Sequence, residues 1–319
     1  MSHKESHALW HVDNKTSEIR TEVIHEYGEE FLLKSKYSLI STGTELLIAR
    51  GLVPAELSNT MKVPHMEGDL MLPVKYGYSL TGESPGYGAF HIMHPHQDIC
   101  IVNRAEAFAI PEGIPLKRAT LASNLETALT AVWDGKILPG ERALVVGFGM
   151  IGSLTARLIS QIPGCTVDVY DVSHPRLEYA RQFGFNPVED PYAATEPYDV
   201  SFHCSASSGG LQMAIDLLGR EGRVVELSWY GVNAINLSLG SDFHSMRKRI
   251  ISSQVGSIPA AMSPAWDIRR RKKTVFKLLS DPIFDQHITH EISLDEAAEC
   301  FNEWRTSSPE GLGYVIKYN

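Results

Sequence analysis

The sequence predicts an α/β protein in two domains, a doubly wound parallel sheet and a β-rich domain. Three observations lead there. The chain has 319 residues, more than one hydrophobic core usually serves. Between residues 19 and 102 the apolar runs are short, alternating and broken by Gly and Pro, as expected of strands joined by irregular loops. From residue 142 onward strand-like runs alternate with helical segments, which demands crossover connections and hence a parallel sheet covered on both faces.

In chain order, the first strands are Phe31 to Ile40 and Ile99 to Val102. From Lys117 the apolar spacing turns helical and runs to Asp134, ending ahead of Gly135 and Pro139. This helix is expected to link the domains. The parallel sheet then reads as ALVVG, a helix through Arg157, TVDVYD, a helix from Pro175 to Phe183, YDVSFHC, a helix from Gly210 to Leu218, RVVELSW and IISSQVG. After Phe284 come a short strand, a helix from Leu294 to Trp304 and a closing strand GYVIKY, expected to return to the first domain. The implied division is residues 1–125 with 280–319 for the β-rich domain and 126–279 for the parallel one.

The strand ALVVG runs straight into Gly147, Gly149 and Gly152, spaced G-x-G-x-x-G, and a helical pattern follows at once. Gly147 permits the tight turn, Gly149 lets the backbone approach a pyrophosphate, and Gly152 lets helix pack on strand. The backbone N–H groups of the first helical residues, Met150 and Ile151, carry the positive end of the helix dipole toward the phosphates. TVDVYD ends at Asp171, 19 residues beyond Gly152, where a carboxylate can accept both adenosine ribose hydroxyls. A strand before, a helix after and an acid at this distance make the segment a Rossmann-type dinucleotide site. Asp171 would repel a 2′-phosphate, so NAD(H) is expected over NADP(H), with His174 and Arg176 close enough to soften the discrimination. Ser205 and Ser228, at later strand ends, are further candidates for the cofactor cleft.

A net charge of −9 disfavours a nucleic-acid partner. The one basic run, Arg269 to Lys273, reads as a solvated helix face. The N-terminal stretch has no apolar core and no segment is long and apolar enough for a membrane span, so a cytoplasmic protein without membrane attachment is expected. Cys100, Cys165, Cys204 and Cys300 form no C-x-x-C pair, as in reduced thiols rather than a zinc ribbon. His91, His94 and His96 are the densest group of metal-capable side chains. On a strand His94 and His96 would share a face and His91 would point away, leaving a metal site, a substrate-pocket role for His94 or His96, and polar packing all open.

Over nearly its full length the chain resembles the medium-chain dehydrogenase/reductase family. The segments that carry the likeness are ISTGTEL at 40–46, YGYSLTGE at 76–83, LASNLETAL at 121–129, the glycine motif, and the run from Tyr198 to Leu227. ISTGTE is also locally similar to the bacteriochlorophyllide hydroxyethyl dehydrogenases of this family. The resemblance implies a GroES-like catalytic domain, a Rossmann domain and a returning C-terminal segment, with a small-molecule substrate held between domains. It also implies a homodimer formed along the last sheet strand, Ile250 to Ser257.

Zinc-containing members take their ligands from segments that align here with Thr42, Tyr78 and Ser123. Hydroxyls are poor substitutes for thiolate or imidazole, and the lobe that carries a structural zinc has no room, so a zinc-free branch with no metal site is expected. In that branch Tyr78 stands where the histidine was and can donate to a developing oxyanion, Thr44 occupies the proton-relay position, and Thr127 falls where members touch the nicotinamide. The expected activity is hydride transfer between NAD(H) and a carbonyl or alcohol, quinone or enone. A metal-dependent alcohol dehydrogenase using the histidines, and a non-catalytic dinucleotide sensor, are the rival readings.

Overall fold

The computed structural model describes residues 3–25 and 30–319; Met1, Ser2 and residues 26–29, which fall within the N-terminal stretch and the β-rich region, lie outside it. The chain divides into two compact units. One comprises Met1–Ser123, Phe276–Pro309 and Gly313–Asn319, the other Asn124–Val275 with Glu310–Leu312.

The first unit opens with β1 (His3–His11), β2 (Ser17–His25) and β3 (Glu30–Ile40), then α1 (Thr42–Ala49). Short strands β4 (Glu67–Gly68) and β5 (Val74–Lys75) precede β6 (Leu80–Ser84), β7 (Gly88–Ile92), β8 (Ile99–Asn103) and β9 (Phe108–Ala109). β1 begins well before the first strand read from sequence. Its buried residues are Ser6, Ala8, Leu9 and His11, with Leu9 the one large aliphatic among them, so the strand lacks the aliphatic alternation that would advertise it. β3 is the spine of the larger sheet: Lys34 to Ser38 pair antiparallel with β6, and Glu30 to Lys34 pair with β8. Phe31, Leu33, Leu80, Phe90, Ile92 and Val102 close a core there.

The helical region is split into α2 (Leu116–Ala119) and α3 (Ala122–Gly135), and α3 contains the division between units. The second unit holds β10 (Arg142–Val146), α4 (Met150–Ser160), β11 (Thr166–Tyr170), α5 (His174–Gln182) and β12 (Asn186–Pro187). β13 (Tyr198–His203), α6 (Ser208–Asp216), β14 (Leu218–Glu226), α7 (Asp242–Ser245), β15 (Arg249–Ser252) and α8 (Ile268–Leu278) as far as Val275 complete it. The six strands are all parallel, in the order β12-β11-β10-β13-β14-β15. Numbered within the sheet this is 3-2-1-4-5-6, the doubly wound Rossmann order, with the reversal beside β10. The central strands bury Ala143, Val145, Val200, Phe202 and Val225 on one face and Leu144, Val146 and Val224 on the other. Each fully buried aliphatic contributes roughly 1.5–3 kcal/mol.

The chain then returns through β16 (His290–Ile292), α9 (Leu294–Trp304) and β17 (Tyr314–Lys317). The strand expected at Phe284 is instead a 3-10 turn, Pro282–His287, and the pairing segment starts at His290. A capping box, Ser293 with Glu296, starts α9, and β17 joins β3 antiparallel.

The basic run does not form a solvated face. Arg269, Arg270 and Lys273 are exposed on α8, but Arg271 and Lys272 are buried and both reach the Glu126 carboxylate. The run was misread because a helix turns through 100° per residue, so five consecutive cations cannot share one face. Among the described residues no helix is long and apolar enough to cross a membrane.

Candidate functional site

In the second unit the carboxyl ends of β10, β11, β13 and β14 converge on the glycine motif. Gly147 has φ +95, and a Cβ there would lie 2.8 Å from the Ser205 nitrogen. At Gly152 a Cβ would fall 1.9 Å from the Gly147 carbonyl oxygen, so this helix turn fits against the loop only without a side chain. Gly149 is different. It caps α4, and a Cβ on it would meet nothing nearer than the Arg176 guanidinium at 3.9 Å. Space therefore opens over the one glycine whose neighbours Met150 and Ile151 begin the helix, as the approach of a pyrophosphate requires.

Asp171 is buried at the end of β11 and holds this loop in shape. Its Oδ2 accepts the Phe148 N–H at 2.7 Å and its Oδ1 accepts the Ser173 N–H at 2.8 Å. Arg176 Nη1 stands 3.7 Å from Oδ2. The acid and the cation thus sit side by side next to Gly149. Thr127 is half-buried in the early turns of α3.

Ser205 and Ser228 belong to one hydrogen-bonded group. Ser205 Oγ is 2.7 Å from His203 Nε2, and His203 Nδ1 is 2.8 Å from Glu226 Oε2. Ser228 N–H donates to Glu226 Oε1 at 2.7 Å, and the Ala206 N–H donates to Ser228 Oγ at 3.0 Å. His203 and Glu226 went unread in the sequence because the partners lie on neighbouring strands, 23 residues apart. A cavity of about 610 Å³ lies at the opposite, amino-terminal edge of the sheet, lined by Glu141, Asp199, Arg220 and Arg249, away from the glycine motif.

In the first unit the hydroxyl-bearing positions gather around Tyr78. Its phenol hydrogen-bonds with the hydroxyls of Ser41 and Thr44; burial, reinforced by the Glu45 carboxylate, pushes it up to about 12. Ser123 Oγ donates to the Tyr78 carbonyl at 2.9 Å, and Ser79 Oγ is 3.0 Å from His91 Nε2. Thr42 and Thr44 lie on the first turn of α1, partly exposed. Tyr78 is also partly exposed, and its phenol stays protonated. Beneath it Glu45, wholly buried, accepts the Ser41 N–H at 2.7 Å through Oε1 and meets His96 Nε2 at 2.8 Å through Oε2.

The three histidines of HIMHPHQ diverge. His91 ends on Ser79, His96 on Glu45 and Ser38, and His94 on the Pro95 carbonyl and the Cys100 thiol. The alternation expected of a strand stops at Ile92, where β7 ends before Pro95. Burial, aided by the charge of His65, lowers His94 to about 3; it lines a cavity of about 220 Å³ with His25, His65 and Lys75. Among the described residues no three His, Cys, Asp or Glu side chains are grouped so as to hold a metal ion.

No protein-family model matches the chain. The D-guloside 3-dehydrogenase of Shigella flexneri is 24% identical over 216 residues, 63% of this chain and 60% of that protein. The 2-dehydro-3-deoxy-L-galactonate 5-dehydrogenase of Pseudoalteromonas atlantica is 30% identical over 126 residues, 36% of this chain and 37% of that one. The chain thus spans 60% or less of the length of these curated relatives. Among solved structures, 2R,3R-butanediol dehydrogenase from Bacillus subtilis aligns over 99% of this chain and 100% of its own, with TM-score 0.76 and 18% identity. The fold is that of these dehydrogenases, a Rossmann parallel sheet with a β-rich unit.

Proposed function

We propose that the chain is an oxidoreductase of the medium-chain dehydrogenase/reductase type that moves hydride between NAD(H) and a small carbonyl or alcohol, quinone or enone, without a catalytic zinc. The observation that carries this reading is the glycine loop held by Asp171, with open space over Gly149 at a helix start. A bound nicotinamide supplies the hydride donor or acceptor. The backbone N–H groups at Met150 and Ile151 hold the pyrophosphate, and the unused lone pairs of Asp171 accept the ribose hydroxyls. Thr127, Ser205 and Ser228 line the remainder of the cofactor's path.

Zinc does not suit the residues at the aligned positions. Thr42, Tyr78 and Ser123 offer neutral oxygens, Tyr78 being protonated throughout the physiological range, where zinc takes thiolate, imidazole or carboxylate. Tyr78 donates its proton to the oxyanion as hydride arrives, and the Thr44 hydroxyl passes a proton on to it. His94 belongs to the substrate region only if its cavity opens to substrate; its low basicity suits a neutral acceptor rather than an acid.

The names of the two sequence relatives put carbohydrate-derived alcohols first in a substrate screen. The reading includes a cytoplasmic homodimer joined along β15, an edge strand on which Ile250 is exposed. It is tested by fluorescence titration with NADH and NADPH, followed by turnover assays and metal analysis of the active protein. Preferential NADH binding and metal-free turnover are expected. Stoichiometric zinc in active protein returns the histidines to consideration, and dinucleotide binding without turnover of any acceptor leaves a sensor.

A further inference from the structure

The geometry of the second unit points to a nucleophilic serine. We propose that Ser205, activated by His203 and Glu226, attacks the carbonyl of activated esters and hydrolyses them by way of an acyl-serine. The three groups stand in the order that such chemistry needs: Ser205 Oγ to His203 Nε2 at 2.7 Å, and His203 Nδ1 to the Glu226 carboxylate at 2.8 and 3.0 Å. A carboxylate can only accept, so it fixes the proton on Nδ1 and leaves Nε2 of the neutral ring as the base.

Each member is itself held. Glu226 receives Tyr230 Oη at 2.8 Å and the Ser228 N–H at 2.7 Å. Burial opposes its charge, but bonds from His203, Ser228 and Tyr230 hold the carboxyl below its ordinary range. His203 is completely buried and Ser205 exposed, so the base is shielded while the nucleophile meets solvent. Ala206, next in the chain, has φ +50, a conformation that L-residues keep only when their surroundings impose it. Gly210 makes room: a Cβ there would lie 2.3 Å from Ser205 Oγ and 3.0 Å from His203 Nε2. The adjacent Cys204 is no competitor, because burial pushes its thiol far up.

In the first step Ser205 Oγ bonds to the ester carbonyl carbon and its proton passes to His203 Nε2. The C–O bond to the alcohol breaks, and the alkoxide leaves with that proton. Water then adds to the acyl-serine, giving its proton to Nε2, and collapse releases the carboxylic acid and restores Ser205. The Ala206 N–H is committed to Ser228 Oγ and the Gly210 N–H to the Ser207 cap, so the oxyanion must draw on the Ser208 and Gly209 N–H groups in the first turn of α6.

The test is labelling of the full chain, without dinucleotide, by a fluorophosphonate probe, read by intact mass and peptide mapping. One adduct on Ser205 is expected, absent in Ser205→Ala and formed at least tenfold more slowly in His203→Gln and Gly210→Ala. Absence of label, label on another serine, or label on Ser205 formed at an unchanged rate in His203→Gln would each overturn the assignment. Because no cofactor is present, the result is independent of whether the chain binds a dinucleotide.

Discussion

Glu45 and His96 are hydrogen-bonded at 2.8 Å with neither side chain exposed, and the same carboxylate holds the Ser41 N–H that precedes α1. Removing the imidazole leaves Glu45 Oε2 without its partner in a site closed to water. His96→Leu should therefore lower the unfolding free energy by about 3–5 kcal/mol, measured by urea titration. A loss under about 1 kcal/mol would show that water or a rearranged neighbour replaces the histidine.

Tyr78→Phe keeps the ring and removes only the proton donor. On a carbonyl substrate kcat should fall about 100-fold, the lower end of what a positioned acid supplies. Since Tyr78 is raised to about 12, the reduction rate should show no break from this group near pH 10. A break there that vanishes in Tyr78→Phe would mean that the phenol titrates as though it were in water.

Asp171→Ala removes both bonds that shape the glycine loop and leaves Arg176 without its anionic neighbour. Hydrogen bonds to a charged group are worth about 1.5–3 kcal/mol each, so NADH binding should weaken at least tenfold. NADPH should lose less, because the repulsion goes with the carboxylate. Equal losses for both would remove Asp171 as the discriminating residue; the added Arg176→Ala change should abolish the NADPH advantage.

His94 and His11 make the fold acid-sensitive. Burial lowers both to about 3, helped by His65 at His94 and by Arg305 and His96 at His11. Between the ordinary histidine value of about 6.5 and pH 3, the unfolded chain binds protons that the folded one refuses, so stability is present above 6.5 and falls as pH drops. His94→Gln should make this decline shallower by roughly 1 kcal/mol per pH unit in chemical unfolding between pH 6 and 4. An unchanged slope would mean that His94 reaches water in the native state.

The legible parts of this protein are those written locally. The glycine turn, Asp171 and the helices on either side depend on neighbours in sequence, and each stands within a few residues of its predicted place. What was not legible depends on long-range pairing. β1 hides its periodicity behind buried Ser and His; Lys272 looks solvated until Glu126 is placed beside it; His203 is an ordinary strand residue until β14 brings Glu226 alongside. HIMHPHQ left its alternatives open for a related reason. Periodicity describes a strand only while it lasts, and Pro95 sends the last two histidines elsewhere.

The pairing of β3 with β17 has a temporal meaning. All six strands of the parallel sheet are encoded by residue 252, well ahead of β17, so that sheet can close while the polypeptide is still growing. The sheet built on β3 must wait for Tyr314 to Lys317 and is held meanwhile as an unfinished edge. The first unit to be synthesised is thus the last to be finished, and the interval in between is when the nascent chain most needs protection from pairing with another.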